Sequence, residues 1–165
     1  MLGTLVKAVV SAAVTIVLLV AVARSFQVIR VAGTSMSPTL NSGDFIVVLR
    51  WTRLARLHRY DIVLARLAED SNLIVKRIIG LPGERVHWPH TARYHTRLLD
   101  TQPTVDGKLD AAGNSQDCLV PSSQYFLMGD NAGSAADSRH FGPITRNRIS
   151  GKALLKVWPS LELLR

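Results

Sequence analysis

A single cysteine, Cys118, stands in 165 residues, so no intrachain disulfide can form. That absence is neutral about compartment, because an exported domain with an adequate core needs no covalent staple. The lone thiol invites a nucleophile reading, but no Cys–His signature surrounds it. Acidic residues are scarce as well: 12 Asp and Glu stand against 20 Lys and Arg, a net charge of +8. Internal repeats and low-complexity tracts are missing. The hydrophobic fraction of 47% excludes disorder as the default and fits one globular domain with a short appendage.

The charge is unevenly placed. Residues 24–100 hold 12 Lys/Arg against 6 Asp/Glu, and residues 101–165 hold 7 against 6. A basic half invites either nucleic acid or anionic lipid. Charge is wholly missing from residues 8–23, a run of Ala, Val, Leu, Ile, Ser and Thr ending at Arg24, and this neighbour tilts the choice towards lipid. The run is slightly short for a spanning helix of about 20 residues, though Ser25 to Ile29 would extend it. Ala21-Val22-Ala23 also has the small-x-small pattern of a processing site, so an uncleaved anchor and a cleaved signal peptide both stand. Lys7 before the run, and Arg24 and Arg30 after it, leave orientation open.

After a linker to Ala32 the pattern turns to short apolar runs punctuated by Gly, Pro and Asp. Phe45–Leu49, Asp61–Ala65, Leu73–Ile79, Gln124–Met128 and Gly151–Trp158 read as strands, and Asp106-Gly107 as a hairpin turn. A mostly β domain follows. Between two strands, residues 49–59 repeat arginine every third position, with Trp51, Leu54 and Leu57 on a second stripe. That spacing suits either a short helix lying on a membrane surface or a connector whose leucines reach the core.

Three stretches carry chemistry. Gly33-Thr34-Ser35 places a serine after a glycine able to adopt unusual backbone angles, and Pro38 stiffens the exit. A serine hydroxyl needs a base to remove its proton. The five histidines lie in polar or loop-like contexts, whereas Lys76 lies in the apolar run Ile74-Val75-Lys76-Arg77-Ile78-Ile79. Burial there would disfavour the ammonium and make the amine a usable base, while Arg77 cannot lose its proton. On a strand Lys76 shares a face with Ile74 and Ile78. The alternative is an edge-strand lysine that guards against aggregation. The third stretch, Met128 to Gly142, is rich in turn residues. Asp130, Asp137 and Arg139 there can brace a loop by charge-assisted hydrogen bonds and aim Ser134 or Ser138 at a site. His87, His90 and His95 match no compact zinc spacing, so no metal or other cofactor is expected.

Taken together, these stretches resemble the type I signal peptidases, the membrane-bound Ser–Lys proteases. Ser35–Asp44 resembles the nucleophile box and Lys76–Glu84 the general-base box. Gly129-Asp130-Asn131 with Asp137-Ser138-Arg139 resembles the third box, and Gly151-Lys152-Ala153 the closing one. The resemblance implies an antiparallel β-sheet fold, Ser35 as nucleophile and Lys76 as general base. The backbone of Ser35 would serve the oxyanion hole, and Gly33 is a second candidate there, at a position where some members carry a serine hydroxyl. Asp130, Ser134, Asp137, Ser138 and Arg139 would support the site. It further implies that residues 1–24 are an uncleaved anchor in the bacterial cytoplasmic membrane. Residues 25–165 would be an extracytoplasmic peptidase domain, with 86–118 a variable hairpin region. Substrates would be secreted preproteins with small residues at the first and third positions before the cut, and nucleic acid is not expected.

Two positions depart from the pattern. Members usually carry a serine where Ala135 stands, its hydroxyl on the base lysine, and an arginine where Ala132 stands. Three other readings remain in view: a dedicated maturation peptidase of a conjugation or pilus system, a non-catalytic membrane-bound paralogue, and a self-cleaving repressor. The last uses a similar Ser–Lys β domain but would carry a helix-turn-helix where this chain has its apolar segment.

Overall fold

A computed structural model describes residues 2–50, 56–67, 73–89, 104–105 and 115–164. The apolar run forms α1 (Leu2–Ser25). Within it Val6–Ser25, 20 residues of mean hydropathy 2.5, is long and apolar enough to cross a membrane by length and composition. The helix stops at Ser25. Residues Phe26–Arg30, read above as helix extension and linker, instead form strand β1. Phe, Val and Ile suit a pleated surface as well as a bilayer, and here pairing decides: β1 runs antiparallel to β2 (Phe45–Leu49) over all five residues.

The remaining strands follow the apolar runs. They are β3 (Ile62–Arg66), β4 (Leu73–Gly80), β5 (Arg85–Pro89), β6 (Thr104–Val105), β7 (Ser115–Leu119), β8 (Gln124–Met128), β9 (Ile144–Thr145), β10 (Ile149–Trp158) and β11 (Glu162–Leu163), with a single-turn helix α2 (Ser138–Phe141) before β9. The main sheet has the order β1-β2-β10-β3-β4-β8-β9, with β11 added to β10. Every strand pairing found is antiparallel. The 86–118 region contributes a separate three-stranded sheet, β6-β5-β7, where a hairpin was expected, and Asp106-Gly107 lies outside the described residues.

Three apolar clusters fill the fold. Met36, Leu40, Ile46, Val48 and Ile62 form one, beneath the Gly33–Leu40 loop. Val63, Ile78, Leu127 and Ile149 centre the second, and Val86, Trp88, Phe126 and Met128 the third. Leu57 is 8% exposed and packs into the second cluster. It is a core residue and not part of a membrane stripe, since it is buried with Val63, Ile78, Leu127 and Ile149; Trp51 and Leu54 lie outside the described residues.

Candidate active site

The loop between β1 and β2 carries the serine. Gly33 has φ +84°, the left-handed region that glycine enters without steric cost. The chain then turns through Ser35 to Thr39, pinned by Ser37 N–H to Thr34 O at 3.1 Å and Leu40 N–H to Met36 O at 2.9 Å. Met36 and Leu40, 1% and 0% exposed, root the turn in the core, so Ser35 is held from below.

Strand β4 brings the lysine. Its Nζ lies 2.6 Å from Ser35 Oγ, and the side chain is buried at 4% exposure. Burial pushes the Lys76 amine below its ordinary value. Asp137 opposes that shift, Arg139 adds to it, and Asp130 opposes it more weakly. A buried lysine bonded to a serine is not an exposed edge guard. The edge nonetheless matters: β8 pairs with β4 only from Arg77 onward, while β3 covers the other side of Leu73–Arg77. A cavity of about 280 Å³ opens there beside Ser35 and Lys76, walled by Ile29, Ala32, Leu64, Ile74 and Val75.

The third stretch braces both partners. Asp137 caps α2 and accepts from Arg139 through both carboxylate oxygens, Nε at 2.8 Å and Nη2 at 2.8 Å, with Arg139 Nη2 also 2.8 Å from Ala132 O. Its Oδ2 further accepts from Gly129 N–H at 3.0 Å. Asp130 does not close this loop on itself. It takes a bidentate bond from Arg77 of β4, at 2.8 and 2.7 Å, with both side chains largely buried. Planar guanidinium on carboxylate fixes orientation as well as distance, so Arg77 locks the strand that carries Lys76 to the loop after β8. Ser138 Oγ accepts from Leu127 N–H at 2.9 Å and so ties α2 to β8. The hydroxyl of Ser134 lies 3.4 Å from Thr34 Oγ1, on the nucleophile loop, and no contact to Lys76 is recorded for it among the described residues.

Three of these features escaped the sequence reading. Arg77 was weighed only as a poor base, and its partner sits 53 residues away. Gly129 is a contact glycine: a Cβ there would stand 2.4 Å from Ser35 O and 2.5 Å from Ala135 Cβ. Asn131 donates its N–H to Ser35 O at 3.0 Å and its Nδ2 to Thr34 O at 3.2 Å. Of the three histidines weighed above as zinc ligands and set aside, His87 is buried in β5, and His90 and His95 lie outside the described residues.

Residues 2–158 match the family model described as signal peptidase, peptidase S26. The chain belongs to the signal peptidase family. Signal peptidase I V of Bacillus subtilis (strain 168) is 35% identical over 138 residues, 74% of this chain and 80% of the relative. The mitochondrial ATP-independent inner membrane protease subunit 1a of Arabidopsis thaliana is 39% identical over 132 residues, 78% and 68% respectively. A crystal structure of a signal peptidase I from Enterococcus faecalis V583 is 23% identical with a TM-score of 0.43, covering 59% of this chain and 97% of that one. The protein is therefore a protease of a serine endopeptidase family whose members remove leader peptides, built as an antiparallel β fold behind an apolar N-terminal helix.

Proposed function

We propose that this chain removes leader peptides from exported preproteins by a Ser35–Lys76 dyad, carried by the 2.6 Å contact between a buried amine and the serine hydroxyl. Lys76, with its proton affinity lowered by burial, takes the hydroxyl proton as Ser35 Oγ attacks the scissile carbonyl. The negative charge that develops on the carbonyl oxygen faces the Ser35 N–H, which has no protein acceptor among the described residues. The Lys76 ammonium then returns the proton to the leaving amine. Water, deprotonated by the same amine, hydrolyses the acyl-enzyme. Gly33 leaves room at the second oxyanion position, since a Cβ there would meet nothing within 4 Å.

An extended preprotein would add as a strand along Leu73–Lys76, whose edge opposite β3 has no partner strand among the described residues. The mostly apolar cavity beside Ser35 would receive the substrate side chains next to the cut. In this reading α1 is an uncleaved anchor in the bacterial cytoplasmic membrane, with the domain on the extracytoplasmic side. Support comes from the 20-residue apolar span and the bacterial relatives. The test is release of a leader peptide from a purified preprotein by the full chain in detergent. Wild type cleaves, while Ser35→Ala and Lys76→Ala lose at least about a thousandfold in kcat. An inert wild type, or full activity in either variant, overturns the dyad.

A further inference from the structure

The oxyanion donor of the proposed reaction is one N–H, and its direction is not free. A trans peptide is planar, with the carbonyl of one residue and the N–H of the next pointing in opposite directions. The Ser35 N–H therefore points wherever the Thr34 carbonyl does not. That carbonyl is gripped twice, by Ser37 N–H at 3.1 Å and by Asn131 Nδ2 at 3.2 Å. The first grip is local to the turn and exists in any copy of it. The second comes from the loop after β8, and it is the one able to set the peptide plane relative to Lys76. Asn131 adds a second hold one peptide further on, its own N–H donating to Ser35 O at 3.0 Å. Its own carbonyl accepts Ser134 N–H at 3.2 Å, and the close approach at Gly129 keeps the loop against Ser35.

We propose that Asn131 is a positioning residue for the oxyanion donor: its side-chain amide fixes the Thr34–Ser35 peptide plane so that the Ser35 N–H faces the developing charge. A donor on the Thr34 oxygen also polarises the same peptide, which strengthens the N–H as a hydrogen-bond donor. Such a group acts on the tetrahedral state more than on the bound preprotein, because only there does the carbonyl oxygen carry charge. This inference rests on the Ser35–Lys76 reading.

The experiment compares the full-length wild type with Asn131→Asp, which keeps the shape but replaces the amide donor with an acceptor, and with Asn131→Ala. Preprotein cleavage should lose between about tenfold and about a hundredfold in kcat, with KM within about twofold. Affinity for a peptide boronate, whose tetrahedral adduct with Ser35 imitates the charged state, should fall in parallel. Melting curves and a fluorophosphonate titration of Ser35 give the folded, reactive fraction by which every rate is divided. An unchanged kcat in both variants overturns the inference. So does a loss confined to KM, or one that vanishes after division by the reactive fraction. If wild type itself cleaves nothing, the protease reading has failed instead, and the two outcomes are distinct.

Discussion

At the scale of single residues the decisive quantity is the proton affinity of Lys76. Burial is its largest influence and lowers it, so the folded state binds the proton less well than the unfolded chain. The sign follows from linkage. Between the depressed folded value and the ordinary lysine value the unfolded chain holds the extra proton, and stability rises with pH across that window. Activity follows the folded value alone: in the proposed dyad only the neutral amine accepts the Ser35 proton, so activity stands at its plateau across that window. Below the folded value kcat/KM should fall about tenfold per pH unit. Ala135 bears on the same quantity. It is 4% exposed and packs beside Gly129 at the carbonyl of Ser35, at the position where the resemblance leads one to expect a serine hydroxyl. The Ser134 hydroxyl turns to Thr34 instead. Ala135→Ser should raise kcat by up to about tenfold, by orienting the amine, and move the pH limb to higher pH, because a new acceptor favours the ammonium. A pH–rate profile of both proteins checks it, and coincident profiles would show that Lys76 gains nothing from a hydroxyl there.

Strands show what else the outer face of the sheet offers. Residues directly opposite in adjacent strands share a face, which places Val28 beside Val47 and Leu155, and Arg30 beside Phe45 and Trp158. Phe26, Val28, Phe45 and Trp158 are all exposed, as are Leu161 and Leu163 around β11. A largely apolar face beginning one residue after α1 suits contact with the bilayer interface when α1 is the anchor proposed above, since Trp is favoured there. The full chain in vesicles of brominated lipid should therefore show quenched tryptophan emission, and Trp158→Phe should remove a large part of the quenchable signal. Equal quenching in both would place this face away from lipid. The sequence had offered Trp51, Leu54 and Leu57 for that role, and the difference is instructive. Period-three spacing in a short connector does not say which way the stripe turns, and Leu57 turns into the core. Strands β2, β3, β4, β8 and β10 were legible because short apolar runs are bounded by Gly, Pro or Asp. Strand β1 was not, because Phe26–Ile29 continues the apolar composition of the helix and only its register with β2 distinguishes it. In the site, residue type and apolar setting drew attention to Ser35 and Lys76 but left an edge-strand lysine open; the resemblance paired them, and they lie 2.6 Å apart. The Arg77–Asp130 and Asn131–Thr34 contacts span 53 and 97 residues, and no local pattern encodes a partner at that distance.

For the whole molecule, the placement of the site relative to α1 constrains how a preprotein is met. Ser35 follows the helix end at Ser25 by one five-residue strand and a turn, and a strand of that length spans about 17 Å. With α1 as the anchor proposed above, the cleft beside Ser35 would be tethered close to the bilayer surface, where a leader peptide leaving the membrane would present its cleavage site. The chain's own charges do not decide which surface, since Lys7 precedes the span and Arg24 and Arg30 follow it. Chemistry decides instead: a leader peptidase meets exported chains only after they have crossed, so the proposed activity requires the domain outside the cytoplasm. Protease added to spheroplasts that express the full chain with a C-terminal tag should remove the tag while a cytoplasmic marker survives. A tag protected until the membrane is permeabilised would put Ser35 and Lys76 on the side where no exported preprotein arrives, and the leader-peptide reading would fall with it.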